Sequence, residues 1–361
     1  MMLLHLQVPD QPLHQIVIPT TGLPMKAFFD QTQMTHDPKT FLVQGLPRSS
    51  PETPERASIL QLGAKAAGCT IEMAPDAGLI PIEKVHSKPY LTFLRVIHER
   101  WTQMEGAGAE VVPNVHPRAR TDGYPSSPVG QAGYHQADTA CPIGANTYGA
   151  AYASAQCAIA AADDVLSGAR HSYALCRPPG HHAFADQAGG FCFLNNSAIA
   201  AQRLLDQGHR PAILDVDVHH GNGTQGIFYD RSDVLTVSIH TDPDGFYPFF
   251  WGHAAELGNG DGTGFNLNIP LARGAGSDAF FPALDEALTK ITKFGCTALV
   301  VALGLDAHES DPFRGLSLGT DDFSHIAQVI SGTGLPLVLV QEGGYVSPVL
   351  GLNLSAFLSA V

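Results

Sequence analysis

From residue 147 onward, short and continuous apolar runs alternate with longer segments of helical periodicity. Continuous apolar runs are typical of strands that are buried on both faces of a parallel sheet. The pattern predicts an α/β fold, an open and mostly parallel sheet covered by helices on both faces. The predicted strands are 172–176, 212–218, 234–240, 298–303 and 337–341. The predicted helices are 147–168, which Thr147 would cap, 196–207, 277–294 and 320–330.

The first part of the chain is less regular. Residues 1–25 carry scattered prolines and are predicted to be an N-terminal extension, with the catalytic domain spanning 26–361. A strand is expected at 26–29, helices at 54–68 and 89–104, and a loop at 47–54. Residues 105–145 are rich in Gly, Pro, Ser and Asn and lack a clear periodicity, so we predict a long loop insertion. A loop of this length inside a compact domain usually serves a function or is disordered.

Composition narrows the class of protein. The 361 residues include 20 Lys and Arg against 34 Asp and Glu, which gives a net charge of -14. This balance disfavours nucleic-acid binding and weakly favours a cationic substrate. The six cysteines contain no C-x-x-C pair and are interpreted as reduced thiols. We see no signal peptide and no apolar run near the roughly 20 residues of a membrane span, so we expect a cytoplasmic protein that does not bind membranes.

The segment 214–223, Leu-Asp-Val-Asp-Val-His-His-Gly-Asn-Gly, is the most informative part of the chain. On an extended strand Asp215, Asp217 and His219 would point to the same face. A buried strand does not carry two aspartates unless a cation or strong hydrogen-bond donors compensate them. The segment therefore indicates a metal site.

Other polar residues follow the neighbouring predicted strands, and they belong at the same edge because ligands bind beyond the carboxyl ends of parallel strands. These residues are His181 and His182, Asp217 and His219, Asp306, and Tyr345. Three ligands, Asp217, His219 and Asp306, would leave one coordination position open, as in catalytic zinc sites. The same donors also suit Fe²⁺ or Co²⁺. Taken singly, each residue has a structural alternative, such as a strand-end cap or a half-buried loop side chain.

Six motifs together resemble the zinc-dependent histone deacetylase-like amidohydrolases of the arginase/deacetylase fold, whose sheets have about eight strands. The segment HTDPDGFYPFFWGH (240–253) and the insertion 105–145 resemble the bacterial acetylpolyamine amidohydrolase branch. The similarity covers roughly residues 26–361 and is dense from Ser172 onward. The motifs are RPPGHHA (177–183), GGFCFLNN (189–196), LDVDVHHGNGTQ (214–225), VSIH (237–240), GLD (304–306) and EGGY (342–345).

The resemblance implies a role for each motif residue. Asp217, His219 and Asp306 would hold zinc, and His182 would be the general base and later the general acid. His181, held by Asp215, would tune the site, and Asn222 would bond to His182. Asparagine replaces the aspartate of many relatives at this position, so we expect a less basic His182. Tyr345 would donate a hydrogen bond to the acyl oxygen.

The resemblance also implies a substrate tunnel and two structural K⁺ or Na⁺ sites. Phe191 and Tyr247 would line the tunnel, and the carbonyl of Gly190 would lie near its base. The first cation site would use Asp215 and Ser238 with the carbonyls of Asp217, His219 and Ile239. The second would use the carbonyls of Phe228, Arg231, Val234 and Phe265.

The expected reaction is hydrolysis of an acetylated polyamine or a related small acetylated amine. Val129 stands where the polyamine branch carries a glutamate, so an acetyl-lysine peptide is the alternative substrate. In this branch the insertion helps to form a dimer that narrows the tunnel, and we therefore expect a homodimer.

Two other classes of protein fit less well. A non-catalytic acyl-ligand-binding module would lack a ligand, a dyad histidine or the tyrosine, and none is missing. A two-metal ureohydrolase would need an Asp-x-Asp sequence where this chain has Gly-Leu-Asp-Ala-His at 304–308. The glycine-rich segment 258–264 is a weak phosphate motif, and Asp311-Pro312 is interpreted as ordinary turn chemistry.

Overall fold

The computed structural model describes residues 24–117 and 123–361. Its main sheet has eight strands in the order β4-β1-β5-β10-β9-β6-β7-β8, and every pair of neighbouring strands is parallel. A separate antiparallel hairpin is formed by β2 and β3. The strands are β1 Lys26–Phe28, β2 Thr40–Val43, β3 Leu46–Ser49, β4 Thr70–Glu72, β5 His171–Ala174, β6 Pro211–Asp215, β7 Leu235–Thr241, β8 Asn266–Leu271, β9 Ala298–Leu303 and β10 Leu337–Gln341.

Helices cover the sheet on both faces because the side chains of each strand alternate between two apolar cores. In β10, for example, Val338 and Val340 belong to one buried cluster and Leu337 and Leu339 to the other. The first cluster lies against α5 and α6, and the second against α8, α9 and α10. The helices are α1 Pro54–Ala66, α2 Ile80–Glu83, α3 Lys88–Thr102, α4 Pro128–His135, α5 Thr147–Leu166, α6 Asn196–Asp206, α7 Asn222–Phe228, α8 Ser277–Phe294, α9 Thr320–Ser331 and α10 Leu350–Ala360.

The structure confirms the α/β class, the eight parallel strands and the helices on both faces. Each predicted strand and helix is present, most with bounds shifted by one or two residues. The predicted N-terminal extension lies, except for residues 24 and 25, outside the described residues. None of the helices in the described part of the chain is long and apolar enough to cross a membrane.

The strand predicted at 212–218 ends at Asp215, which corrects the placement of Asp217 and His219. Asp215 Oδ1 accepts a hydrogen bond from the amide of Asp217, and Asp217 Oδ1 accepts one from the amide of His219. The amides of Asp217 and His219 thus donate to side chains and not to a neighbouring strand, so the chain leaves the sheet and continues as a loop. Asp217 and His219 therefore meet through a turn and not through strand alternation.

Three further predictions differ from the structure. The predicted insertion 105–145 contains the helix α4, which begins at a proline after the side-chain cap of Ser127. The predicted loop 47–54 contains most of β3. Pro47 is tolerated in this strand because, among the described residues, the hairpin has no further strand beside it and β3 is an edge. The predicted cap of α5 also differs: Thr147 is its first residue, and Asn146 precedes it without a side-chain cap.

Candidate functional site

The candidate site lies beyond the carboxyl ends of four adjacent strands, β5, β10, β9 and β6. The loop after β5 carries His181 and His182, and the loop after β6 carries Asp217 and His219. Asp306 follows β9, and Tyr345 follows β10. Because the four strands are parallel neighbours, the four loops meet at one edge of the sheet, as the sequence predicted.

The three predicted metal ligands lie together and are buried. Ligand atoms of Asp217, His219 and Asp306 all lie within 4.8 Å of one another. The Nδ1 atom of His219 lies 3.2 Å from Asp217 Oδ1 and 3.3 Å from Asp306 Oδ2. Asp306 Oδ2 is buried and has no hydrogen-bond partner in the described structure. An unpartnered buried carboxylate oxygen facing an imidazole and a second carboxylate fits a divalent cation.

The two histidines form the predicted dyad. His181 Nδ1 lies 2.9 Å from Asp215 Oδ2, and His182 Nδ1 lies 2.7 Å from Asn222 Oδ1. Burial would lower the pKa of His181, but the nearby Asp215 and Asp217 outweigh it and raise this pKa to about 10. Burial, followed by the positive charge of His181, holds the pKa of His182 well below its usual range. The dyad therefore pairs a charged histidine with a neutral one.

Tyr345 is held by its backbone and its ring. Its amide donates to Asp311 Oδ2 at 3.0 Å, and its ring packs edge-on against Phe313 with centroids 4.8 Å apart. The guanidinium of Arg56 lies 4.8 Å from the ring centroid. Burial raises the pKa of Tyr345 well above its ordinary value, so the hydroxyl stays protonated at neutral pH and remains a donor.

Aromatic rings form walls around these groups. The ring of Tyr247 stands perpendicular to that of His182 at 4.8 Å, and Phe191 lies 6.0 Å from Tyr345. Gly190 has a positive φ of 51°, and an added Cβ would lie 2.4 Å from His182 Cδ2. Only glycine fits at this position, because both its backbone conformation and its contact exclude a side chain.

The structure adds wall residues that the sequence did not indicate. Phe246 stacks on His219 at 5.0 Å, and Phe313 meets the same ring edge-on at 5.1 Å. Phe41 of the β2–β3 hairpin packs edge-on against Phe191 at 5.4 Å. Val129 lies on α4, partly buried against the apolar core. A pattern of isolated phenylalanines carries no signal for a tunnel, because core residues give the same pattern.

Asp311 corrects the interpretation of Asp311-Pro312 as ordinary turn chemistry. Its side chain is buried and accepts from the amides of Phe313 and Tyr345. Burial, with the charge of the nearby Asp306, raises the pKa of Asp311 to about 7. Asp311 thus fixes the backbone that presents both Tyr345 and the wall residue Phe313.

A buried ionic network lies behind the site and was not predicted. Glu52 Oε1 pairs with Arg56 at 2.6 Å, and Glu52 Oε2 pairs with Arg177 at 2.9 Å. Arg56 then donates to the carbonyls of Glu342 and Gly344, the loop that carries Tyr345. Burial would raise the pKa of Glu52, but the two arginines outweigh it and keep this pKa below its ordinary value.

The side chain of Glu342 joins the tyrosine loop to the dyad loop. Its carboxylate accepts from the amides of Gly180 and His181 at 2.6 and 3.0 Å, and from the hydroxyl of Ser197 at 2.7 Å. Burial raises the pKa of Glu342 to about 7. One residue therefore touches both loops that carry the candidate reacting groups.

The residues predicted to hold monovalent cations lie in or beside β6 and β7, and their role as cation sites stays a prediction. Asp215 and Ser238 both line a small cavity beside β6 and β7. Ser238 Oγ lies 2.8 Å from His240 Nδ1. For the second site, Phe228 ends α7, and Arg231 and Val234 lie between α7 and β7. The carbonyls of Phe228 and Phe265 accept hydrogen bonds from the amides of Arg231 and Thr236.

Comparisons with known proteins agree with this geometry. Residues 50–361 match the family model described as the histone deacetylase domain. The chain therefore belongs to the histone deacetylase family. It is 45% identical to the acetylpolyamine amidohydrolase of Burkholderia pseudomallei over 92% of this chain and 97% of that protein. It is 44% identical to acetylpolyamine amidohydrolase 1 of Pseudomonas aeruginosa over 91% of this chain and 96% of the relative.

Solved structures show the same relationship. A crystal structure of the acetylpolyamine aminohydrolase from Burkholderia pseudomallei superposes with a TM-score of 0.90 at 44% identity, covering 93% of this chain and 98% of that one. The HD domain of HDA15 superposes with a TM-score of 0.76 at 26% identity, covering 93% and 90%.

The ionic network predicts a large stability effect for Glu52→Gln. The variant leaves Arg56 and Arg177 buried without their shared carboxylate, and removing one partner of a buried ion pair typically costs about 3–5 kcal/mol. Denaturant unfolding of wild type and variant measures the difference. The matched control is Asp206→Asn, which removes the surface pair with Lys84 and should cost at most about 1 kcal/mol. Equal losses in the two variants would contradict the proposed importance of the network.

Proposed function

We propose that this protein is a metal-dependent deacetylase that hydrolyses the acetyl amide of N-acetylated polyamines or related small acetylated amines. The observation that carries the proposal is the meeting of a candidate metal triad, a histidine dyad and a buried tyrosine at one sheet edge. Relatives that share 44–45% of their residues with this chain over more than nine-tenths of its length are named acetylpolyamine amidohydrolases.

Asp217, His219 and Asp306 are the residues that would hold the metal, with Zn²⁺ first and Fe²⁺ or Co²⁺ as alternatives. Their support is the mutual approach of the three ligand atoms and the orphaned oxygen of Asp306. A bound zinc ion would supply Lewis acidity and would lower the pKa of water to about 7.

His182 would transfer the proton of the attacking water, and His181 would adjust the basicity of His182. Asn222 Oδ1 can accept the Nδ1 proton of His182, which leaves the lone pair of Nε2 to remove a proton from the attacking water. The same nitrogen then returns that proton to the leaving amine. His181, paired with Asp215, keeps a positive charge beside His182 and lowers the pKa of His182. A less basic His182 gives the proton to the leaving amine more readily.

Tyr345 stabilises the charge that develops on the acyl oxygen. Its hydroxyl remains protonated, and its ring is fixed by Phe313 and by Arg56. A positioned donor of this kind acts mainly in the transition state, because the oxygen becomes an anion only there.

A cationic substrate is consistent with the net charge of -14. Gly190, Phe191 and Tyr247 would contact the acyl chain, as the aromatic walls around His182 suggest. An acetyl-lysine peptide stays the second candidate, because Val129 packs toward the core and offers no charge for a distal ammonium.

A substrate panel tests the function. We expect zinc-loaded protein to hydrolyse monoacetylated diamines and polyamines with a higher kcat/KM than acetyl-lysine peptides, and chelation to abolish turnover. The measurement is release of acetate or of free amine. Turnover of peptides alone would overturn the polyamine assignment, and turnover of neither class by metal-loaded protein would favour a binding module.

Tyr345→Phe should keep the fold and the metal content but lose about 10²- to 10³-fold in kcat, the usual effect of removing one oxyanion donor. Steady-state kinetics, with metal analysis and thermal unfolding as controls, check this outcome. Near-normal turnover in the variant would remove Tyr345 from the mechanism.

We also propose that the chain forms a homodimer through the predicted insertion and binds K⁺ or Na⁺ at the two sites near β7. Val115 of the insertion exposes 53% of its surface, and a second copy of the chain would cover it. Sedimentation at micromolar concentration is expected to give the mass of a dimer, and a purely monomeric species would contradict the proposal.

A further inference from the structure

Asp138 of the insertion places its carboxylate against Tyr247 and Gly190, two residues of the wall beside His182. Its Oδ2 accepts hydrogen bonds from the hydroxyl of Tyr247 at 2.6 Å and from the amide of Gly190 at 3.1 Å. Its Oδ1 accepts from the amide of Ala140 at 2.7 Å. A separation of 2.6 Å is typical of a strong bond between a hydroxyl and a carboxylate. One side chain therefore joins two segments of the wall around His182 that are distant in sequence.

Tyr247 and Gly190, the two partners of Asp138 Oδ2, both pack closely against His182. The ring of Tyr247 stands perpendicular to the imidazole at 4.8 Å. An added Cβ on Gly190 would lie 2.4 Å from His182 Cδ2 and 2.8 Å from the hydroxyl of Tyr247. With so little free space, a displacement of Tyr247 or of the Gly190 backbone changes the surroundings of the candidate general base.

Asp138 is itself held by the backbone of the insertion. The amide of Ala137 donates to the carbonyl of Ala188 at 2.7 Å, and the amide of Ala188 donates to the carbonyl of His135 at 2.8 Å. These bonds tie the end of α4 to the loop that contains Gly190. The position of Asp138 is thus set by the fold of the insertion and not by the substrate.

We infer that Asp138 is a positioning residue that clamps Tyr247 and Gly190 on the two sides of His182 and so couples the insertion to turnover. The inference rests on the proposed deacetylase function. It goes beyond that function by assigning the insertion a part in the rate of reaction.

The rival role for this carboxylate is direct recognition of a substrate ammonium. Within residues 24–117 and 123–361 Asp138 has no ion-pair partner, since its contacts are a hydroxyl and two amides. A clamp and a cation site differ in what they do to kinetics. Loss of the clamp lowers kcat for every acetylated amine, whereas loss of a cation site raises KM only for substrates with a distal ammonium.

The test is a double-mutant cycle on Asp138→Asn and Tyr247→Phe, with a monoacetylated diamine and its uncharged N-acetyl-alkylamine analogue as substrates. We expect each single variant to lower kcat about ten-fold on both substrates with little change in KM, as loss of a hydrogen bond to a charged group predicts. The double variant should be no slower than the slower single variant, because both changes break the same bond.

The matched control is Asp76→Asn with Tyr152→Phe, a second aspartate–tyrosine hydrogen bond that touches none of the tunnel residues. Its kinetics should match wild type. Multiplicative losses in the Asp138 and Tyr247 cycle, unchanged kcat, or a KM effect confined to the charged substrate would each overturn the clamp.

A measurement independent of turnover separates this inference from the proposed function. The same four proteins are unfolded in denaturant, and the losses of the two single variants should again be non-additive in the double variant. If wild type hydrolyses no acetylated amine, the proposed function fails, while additive unfolding losses overturn the clamp in either case.

Discussion

The buried negative charge at the carboxyl ends of the central strands is the constraint on which the rest of this structure depends. A carboxylate taken out of water is costly unless donors or cations compensate it. Within the described residues, six carboxylates but only two basic side chains other than histidine, Arg56 and Arg177, are buried. The six buried carboxylates are Glu52, Asp215, Asp217, Asp306, Asp311 and Glu342. Glu52 is paired with both arginines, and Asp215 is paired with His181. Asp217 and Asp306 are then the carboxylates that a bound cation would compensate.

The same carboxylates determine the shape of the loops. Asp217 accepts from the amide of Gly343, Asp306 from that of Val218, and Glu342 from those of Gly180 and His181. Each loop is therefore folded around the side chain of another loop. Replacing one of these carboxylates would remove hydrogen bonds that hold the backbone of another loop. The positions of the histidine dyad, the metal triad and Tyr345 therefore depend on one another.

Much of this could be predicted from sequence, and the failures have a common cause. Alternating apolar segments predicted the parallel sheet, and polar residues after each strand predicted the edge where they meet. The end of β6 was misplaced because the bonds from Asp215 and Asp217 to the following amides compete with the sheet. Helix α4 was missed because glycine and proline dominate the surrounding segment.

The sequence by itself determined the fold class, the edge of the sheet that carries the chemistry and the residues able to bind metal or move protons, because strand periodicity and side-chain chemistry are local properties. Only the tertiary structure decided that Glu52 and Arg56 support the tyrosine loop, that Asp311 is more than a turn residue, and that Asp138 of the insertion meets Tyr247. These contacts join residues as far as 288 positions apart, as between Arg56 and Gly344, and no local pattern encodes such a distance.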